Sequence, residues 1–180
     1  HEDDYPHVDC IQTWDRSAHG GRPVMKHTLI EGNHCQLSRA SGKGVTISAV
    51  DAPAHDIIIR NNIFEYRDNG VSISYGSFYE IHIYNNLFKA YLQDPPWGAA
   101  VAIYNFDSMG YFTVLNNLMI DCHCQYRRID SSNGIVDYNL IWYSDGPACG
   151  GVPGLQANEL LADPQFVFYD GEQGGNYHLR

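Results

Sequence analysis

IIIRNNIFEY (57–66) and IHIYNNLFKAY (81–91) decide how this chain is read. Each begins with an apolar–x–apolar alternation, Ile57-x-Ile59 and Ile81-x-Ile83. Each then places Asn61-Asn62 or Asn85-Asn86 before a second apolar pair. Alternation of period two marks a strand with one apolar face, not a helix. The same order recurs at HTLIEGNHC (27–35), FTVLNNLMIDC (112–122) and IVDYNLIWY (135–143). The aligned asparagines are Asn33, Asn62, Asn86, Asn117 and Asn139, with spacings of 29, 24, 31 and 22 residues. Uneven spacing means fixed strands joined by variable loops. Ile30, Ile59, Ile83, Val114 and Val136 form an apolar column three residues before the asparagines. Cys35 (offset by one), Ile63, Leu87, Leu118 and Leu140 form a column after them.

A further strand occurs once per repeat, at CIQTWD (10–15), GVTISAV (44–50), GVSISYG (70–76), AAVAIYN (99–105) and YRRIDS (126–131). Ile11, Val45, Val71, Val101 and Arg127 share one inward column. Thr13, Ile47, Ile73, Ile103 and Ile129 share the next. Arg127 interrupts the first, so the last repeat has the weakest register. Gly44 and Gly70 stand where the chain turns into the strand, a place suited to positive φ.

Repeats of this length with two or three short strands predict an all-β, right-handed parallel β-helix (solenoid) of about five to six coils. Residues 1–180 form one domain, expected to be part of a longer solenoid because no cap is evident before His7; alternatively 1–26 itself serves as the cap. The Asn column is expected to be structural, pairing with backbone and with itself between neighbouring coils. The sequence resembles the right-handed parallel β-helix superfamily of pectate lyases and related polysaccharide-acting proteins. The resemblance rests on Asn-Asn-[Ile/Leu]-[Phe/Met] at 61–64, 85–88 and 116–119 and on Gly-Val-x-Ile-Ser at 44–48 and 70–74. It extends to Ala162-Asp163-Pro164-Gln165-Phe166, Asn176-Tyr177-His178-Leu179 and His7-x-Asp9-x-Ile11-Gln12. It implies a bacterial, exported protein, extracellular or periplasmic, that acts on carbohydrate. It is specific for fold and poor for activity, because one fold hosts many chemistries.

Composition narrows the partners. Eleven Lys and Arg against 21 Asp and Glu leave a net charge of −10, which argues against nucleic acid. It also disfavours a polyanion unless a cation or a local basic patch mediates the contact. No apolar run is long enough for a transmembrane helix, so membrane insertion is not expected. No signal peptide is visible in the opening HEDDYPHVDC. Five cysteines cannot all pair, so at least one is free or intermolecular; small buried hydrophobes is the simplest reading. Exposed terminal coils would favour a homo-oligomer.

Candidate chemistry lies on the outward strand face and at one corner. The outward columns run Gln12, Thr46, Ser72, Ala102, Arg128 and Trp14, Ser48, Ser74, Tyr104, Asp130. Trp14 and Tyr104 offer ring faces to a sugar, and Ser48, Ser74 and Gln12 offer hydrogen bonds. An ordinary solvated face explains the same residues. Trp97, in the irregular loop Asp94–Gly98, would act as a lid or sugar platform, or merely cap local apolar surface. His7, Asp9, Lys43 and Arg67 gather near the first corners, with Asp68 and Asn69. Lys43 and Arg67 would neutralise a uronate and abstract its C5 proton, with His7 as proton donor or alternative base. A glycosidase would instead pair Asp9 with Asp15 or Asp68 at about 5–9.5 Å. A polar turn with a salt bridge at Asp9, Lys43 and Asn69 is the simpler reading of this corner. His7 and Asp9 are also metal donors, without a third ligand at readable spacing. Glu2, Asp3 and Asp4 would bind Ca²⁺, or form a disordered terminus.

The expected function is therefore a polysaccharide lyase or epimerase on an acidic glycan, with Ca²⁺ bridging the negative charge. The alternatives are a non-catalytic glycan-binding or structural solenoid, as in an adhesin or stalk, and a glycoside hydrolase. Convergence of His7, Asp9, Lys43 and Arg67 on one cleft would discriminate among them.

Overall fold

A computed structural model describes residues 9–15, 25–37, 42–91, 98–122, 124–127, 133–143, 157–168 and 176–179. Among them the chain is all-β. The strands are β1 (Asp9–Asp15), β2 (Lys26–Glu31), β3 (His34–Gln36), β4 (Lys43–Arg60), β5 (Ile63–Tyr66), β6 (Asn69–Tyr84), β7 (Leu87–Ala90) and β8 (Ala99–Met109). They continue with β9 (Phe112–Leu115), β10 (Leu118–Ile120), β11 (Cys124–Arg127), β12 (Gly134–Asp137), β13 (Leu140–Trp142), β14 (Leu160–Leu161), β15 (Phe166–Phe168) and β16 (Asn176–Leu179). No helix among the described residues is long and apolar enough to cross a membrane.

Two parallel sheets carry the core. In the larger, the first halves of the long strands pair in the order β1-β4-β6-β8-β11; their second halves continue the path through β2, β9 and β12. Strand β4 pairs β1 over Lys43–Ala49 and β2 over His55–Arg60, with its register broken between Ala49 and Ala54. Strand β6 breaks its register at Gly76/Ser77 in the same way. These breaks bend the long strands, and the sheet curls into a half-barrel. The second sheet, β14-β13-β10-β7-β5-β3, is parallel throughout. Strands β15 and β16, from the tail segments that carried part of the resemblance, form a separate antiparallel pair. The solenoid of pectate-lyase-like proteins implied by the resemblance is corrected accordingly: what is seen is one curled parallel sheet and a second parallel sheet. Period-two alternation specifies strands and their neighbours in register, but not how sheets close on one another.

Register follows the repeats closely. Ile30, Ile59, Ile83, Val114 and Val136 pair in sequence across β2, β4, β6, β9 and β12. The column after the asparagines shifts by one: Cys35, Phe64, Phe88, Met119 and Ile141 point inward, so Cys35 is in line and Ile63, Leu87, Leu118 and Leu140 face out. In β11, Tyr126 rather than Arg127 stands opposite Val101, which restores an apolar partner to that column. Each fully buried Ile or Phe contributes about 1.5–3 kcal/mol of transfer free energy.

Gly44 and Gly70 do not have positive φ. They are glycines because a Cβ on Gly44 would lie 2.5 Å from the Phe64 ring, and one on Gly70 would lie 2.3 Å from Phe88. Positive φ occurs instead just before each ladder asparagine, at Gly32, Asn61, Asn85, Asn116 and Tyr138. This explains the doubled Asn: the first turns the chain left-handed, the second turns inward. Cysteine usage is also revised. Cys10 and Cys35 form a disulfide and Cys124 is disulfide-bonded, so among the described residues only the free, buried Cys122 behaves as a small hydrophobe. Cys149 lies outside the described residues.

Candidate functional site

The second half of the curled sheet exposes a corner that the repeats bring into register. Lys26 pairs His55 and Thr28 pairs Ile57, which sets His27 beside Asp56; His55 pairs Tyr79 and Ile57 pairs Ile81, which sets Asp56 beside Glu80. All three, His27, Asp56 and Glu80, have φ near 50°. Left-handed backbone is uncommon outside Gly, Asn and Asp. Here it turns three successive side chains out at one bend.

Their side chains converge. His27 Nδ1 lies 2.8 Å from Asp56 Oδ2, and His55 Nδ1 lies 2.9 Å from the same oxygen. The two imidazoles meet edge to face with centroids 5.1 Å apart. Hydrogen bonding from Glu80, then from His55, holds the Asp56 carboxyl below its ordinary range. The hydrogen bond to Asp56, then its charge, raises the Glu80 carboxyl.

An open groove of about 580 Å³ is lined by Gly110, Tyr111, Asn133, Gly134 and Ile135. His82 stands beside Tyr111: its Nδ1 is 3.0 Å from Thr113 Oγ1 and its ring meets Tyr111 edge to face at 6.0 Å. Tyr79, Tyr111 and Ile135 are exposed. Asn133 Nδ2 donates to the Met109 carbonyl at 2.9 Å, which fixes the groove wall. The face thus offers aromatic and apolar surface next to imidazoles and carboxylates.

The residues expected from sequence are placed differently. His7 and Trp97 lie outside the described residues, as do Arg128, Asp130 and the acidic run Glu2–Asp4, and nothing is described of the Trp14 and Asp15 side chains. Asp9 does pair with Lys43 in register. Lys43 is buried, with Nζ 3.4 Å from Asp68 Oδ2. Asn69 Nδ2 donates to Asp68 Oδ1 at 2.8 Å, and Asn69 Oδ1 accepts from the Ala99 amide at 3.2 Å. The Arg67 and Asp68 amides both donate to the Gly42 carbonyl. Asp9, Lys43, Arg67 and Asp68 therefore share one corner, tied by an ion pair and backbone bonds. Of these, Arg67 keeps a buried Nε without a hydrogen-bond partner.

The outward column is more covered than period-two alternation suggests. Ser48 and Ser74 are only 7% and 3% exposed, with hydroxyls 3.5 Å apart. Tyr104 is half-buried, its hydroxyl 3.3 Å from Ser72 Oγ and its ring against Tyr75. Gln12 remains exposed.

A second polar cluster was not anticipated. Glu65 and Lys89, both 0% exposed, pair in register on β5 and β7. Glu65 accepts from Tyr91 Oη at 2.6 Å and from Gln36 Nε2 at 3.2 Å, and His34 Nε2 lies 3.2 Å away. Lys89 Nζ stands 5.6 Å from the Tyr91 ring centroid. Burial and Glu65 push the Tyr91 phenol well above its ordinary value. The available signal was positional: Glu65 and Lys89 each follow the ladder asparagine by three residues. The imidazole–carboxylate corner left less trace, since His27, His55 and Glu80 fall outside the aligned columns.

No protein family matches the chain, and no curated protein or solved structure matches it either. The resemblance to the pectate-lyase-like superfamily is thereby corrected. Its Asn-Asn elements encode a left-handed turn followed by a buried amide, a local device that identifies no family.

Proposed function

We propose that this protein binds a polysaccharide along the second half of its curled sheet. The observation that carries this reading is the groove at Tyr111, Asn133 and Ile135, where exposed ring and apolar surface adjoin hydrogen-bonding groups. An aromatic face accepts the C–H face of a sugar, and an amide orients its hydroxyls. The acidic net charge favours a neutral glycan at this face. The disulfides fit an oxidising, extracellular or periplasmic setting.

The finer architecture belongs to the same proposal: the repeats are successive coils of one stack. Matching registers across both sheets support it, and parallel crossovers within a sheet are right-handed in about 98% of cases.

A second reading, action on an acidic glycan as a lyase or epimerase, is favoured by one observation, the buried and unpartnered Arg67 Nε. With Lys43 engaged by Asp68, Arg67 is the cation left to meet a uronate. Incubation with neutral and acidic polysaccharides, with and without Ca²⁺, separates the readings. Retention on a neutral glycan without new reducing ends supports binding. Unsaturated-uronate absorbance that Arg67→Ala abolishes supports the second reading. Neither retention nor product across the panel overturns both.

A further inference from the structure

We propose that His27, His55 and Asp56 form a binding site for a divalent first-row transition ion of the Zn²⁺ class. Each residue supplies one donor atom, and the three donors lie within 4.8 Å of one another. Two imidazole nitrogens and one carboxylate oxygen are a donor set suited to Zn²⁺, whose Zn–N and Zn–O bonds are about 2.0–2.2 Å. One ion among the three atoms meets those lengths with small side-chain adjustments. Ca²⁺ prefers six to eight oxygen donors and does not suit this set.

The fold supports the assignment in three ways. The three ligands come from adjacent strands in fixed register, β2 and β4, so the sheet itself sets their spacing. Glu80, hydrogen-bonded to Asp56, orients the ligating carboxylate from the next strand, as an outer carboxylate does in established metal sites. The corner opens outward, with the His27 side chain 74% exposed, so an ion bound here keeps a coordination position for water or an oxygen of a ligand. The site is independent of glycan binding, since it requires none of the groove residues.

The test is Co²⁺ titration of the untagged, disulfide-intact chain at neutral pH, followed by displacement with Zn²⁺. The expected result is a saturable visible absorption of four- or five-coordinate Co²⁺ at one equivalent, abolished by Zn²⁺. His55→Ala and Asp56→Asn are expected to weaken binding by at least 100-fold, and His34→Ala, in the other sheet, to leave it unchanged. His27→Ala removes an exposed ring without touching the core and carries the decision if the other variants misfold. Absence of saturable binding, or unchanged binding in His27→Ala, overturns the proposal.

Discussion

Tyr138 shows how far a residue's chemistry yields to its position. It occupies the left-handed place held by Gly32 in the first repeat and by asparagine in the middle ones, with φ 56°, and the residue is 58% exposed. A non-glycine residue there costs about 1–2 kcal/mol, part of which glycine would return as unfolded-state entropy. Tyr138→Gly is predicted to stabilise the protein by about 0.5–1 kcal/mol, read from the urea midpoint; destabilisation would contradict this backbone account. Cys122 makes the opposite case, a polar group governed by burial. Burial pushes its thiol up to about 12 from an ordinary 9.0, and Tyr66 Oη donates to its sulfur at 3.0 Å. The unfolded chain ionises this thiol near pH 9 while the folded chain holds it neutral. Its contribution is therefore whole below pH 9 and is lost as pH rises from 9 towards 12. For this one proton the slope approaches about 1.4 kcal/mol per pH unit. Urea midpoints at pH 8, 9 and 10 are predicted to fall more steeply for the natural chain than for Cys122→Ala. Equal slopes would remove Cys122 as a source.

Among elements, the asparagine ladder joins the curled sheet to the flat one. Asn86 Nδ2 donates to the Ile59 and Tyr84 carbonyls and to Asn117 Oδ1; its own Oδ1 accepts from the Asn62 amide and side chain. Asn62 and Asn117 repeat this pattern on either side. Truncating a middle member strands several buried groups, each costing about 1–3 kcal/mol. Asn86→Ala is predicted to cost about 3 kcal/mol or more, and the half-buried end member Asn33→Ala about 1 kcal/mol. Equal losses in chemical denaturation would show that the ladder does not act through buried amides. This element was legible from sequence because a buried amide repeats with its apolar bracket. The inward column after it was misplaced by one residue because Ile63 and Phe64 are both apolar, and alternation cannot choose between them. Ser48 and Ser74 are buried although alternation turns them outward, because alternation gives the direction of a side chain, not what covers it.

In the whole molecule, the strands and their pairing were readable and the chemistry was not. His27, His55 and Glu80 have no motif spacing and meet only because the curled sheet puts three bends in register. Lys43 and Arg67 lie at one corner, where the ion pair with Asp68 makes Lys43 a structural cation. The second half of β6 and the Gly110–Tyr111 turn bring Tyr79 and Tyr111 together beside His82, two residues from Glu80. The most direct test of the glycan-binding claim is calorimetric titration of the natural chain and Tyr111→Ala with a polysaccharide that the natural chain retains. The account predicts saturable binding weakened by Tyr111→Ala at least tenfold, about 1.4 kcal/mol, with the thermal midpoint preserved. Equal affinity in both chains would place the glycan elsewhere and contradict it.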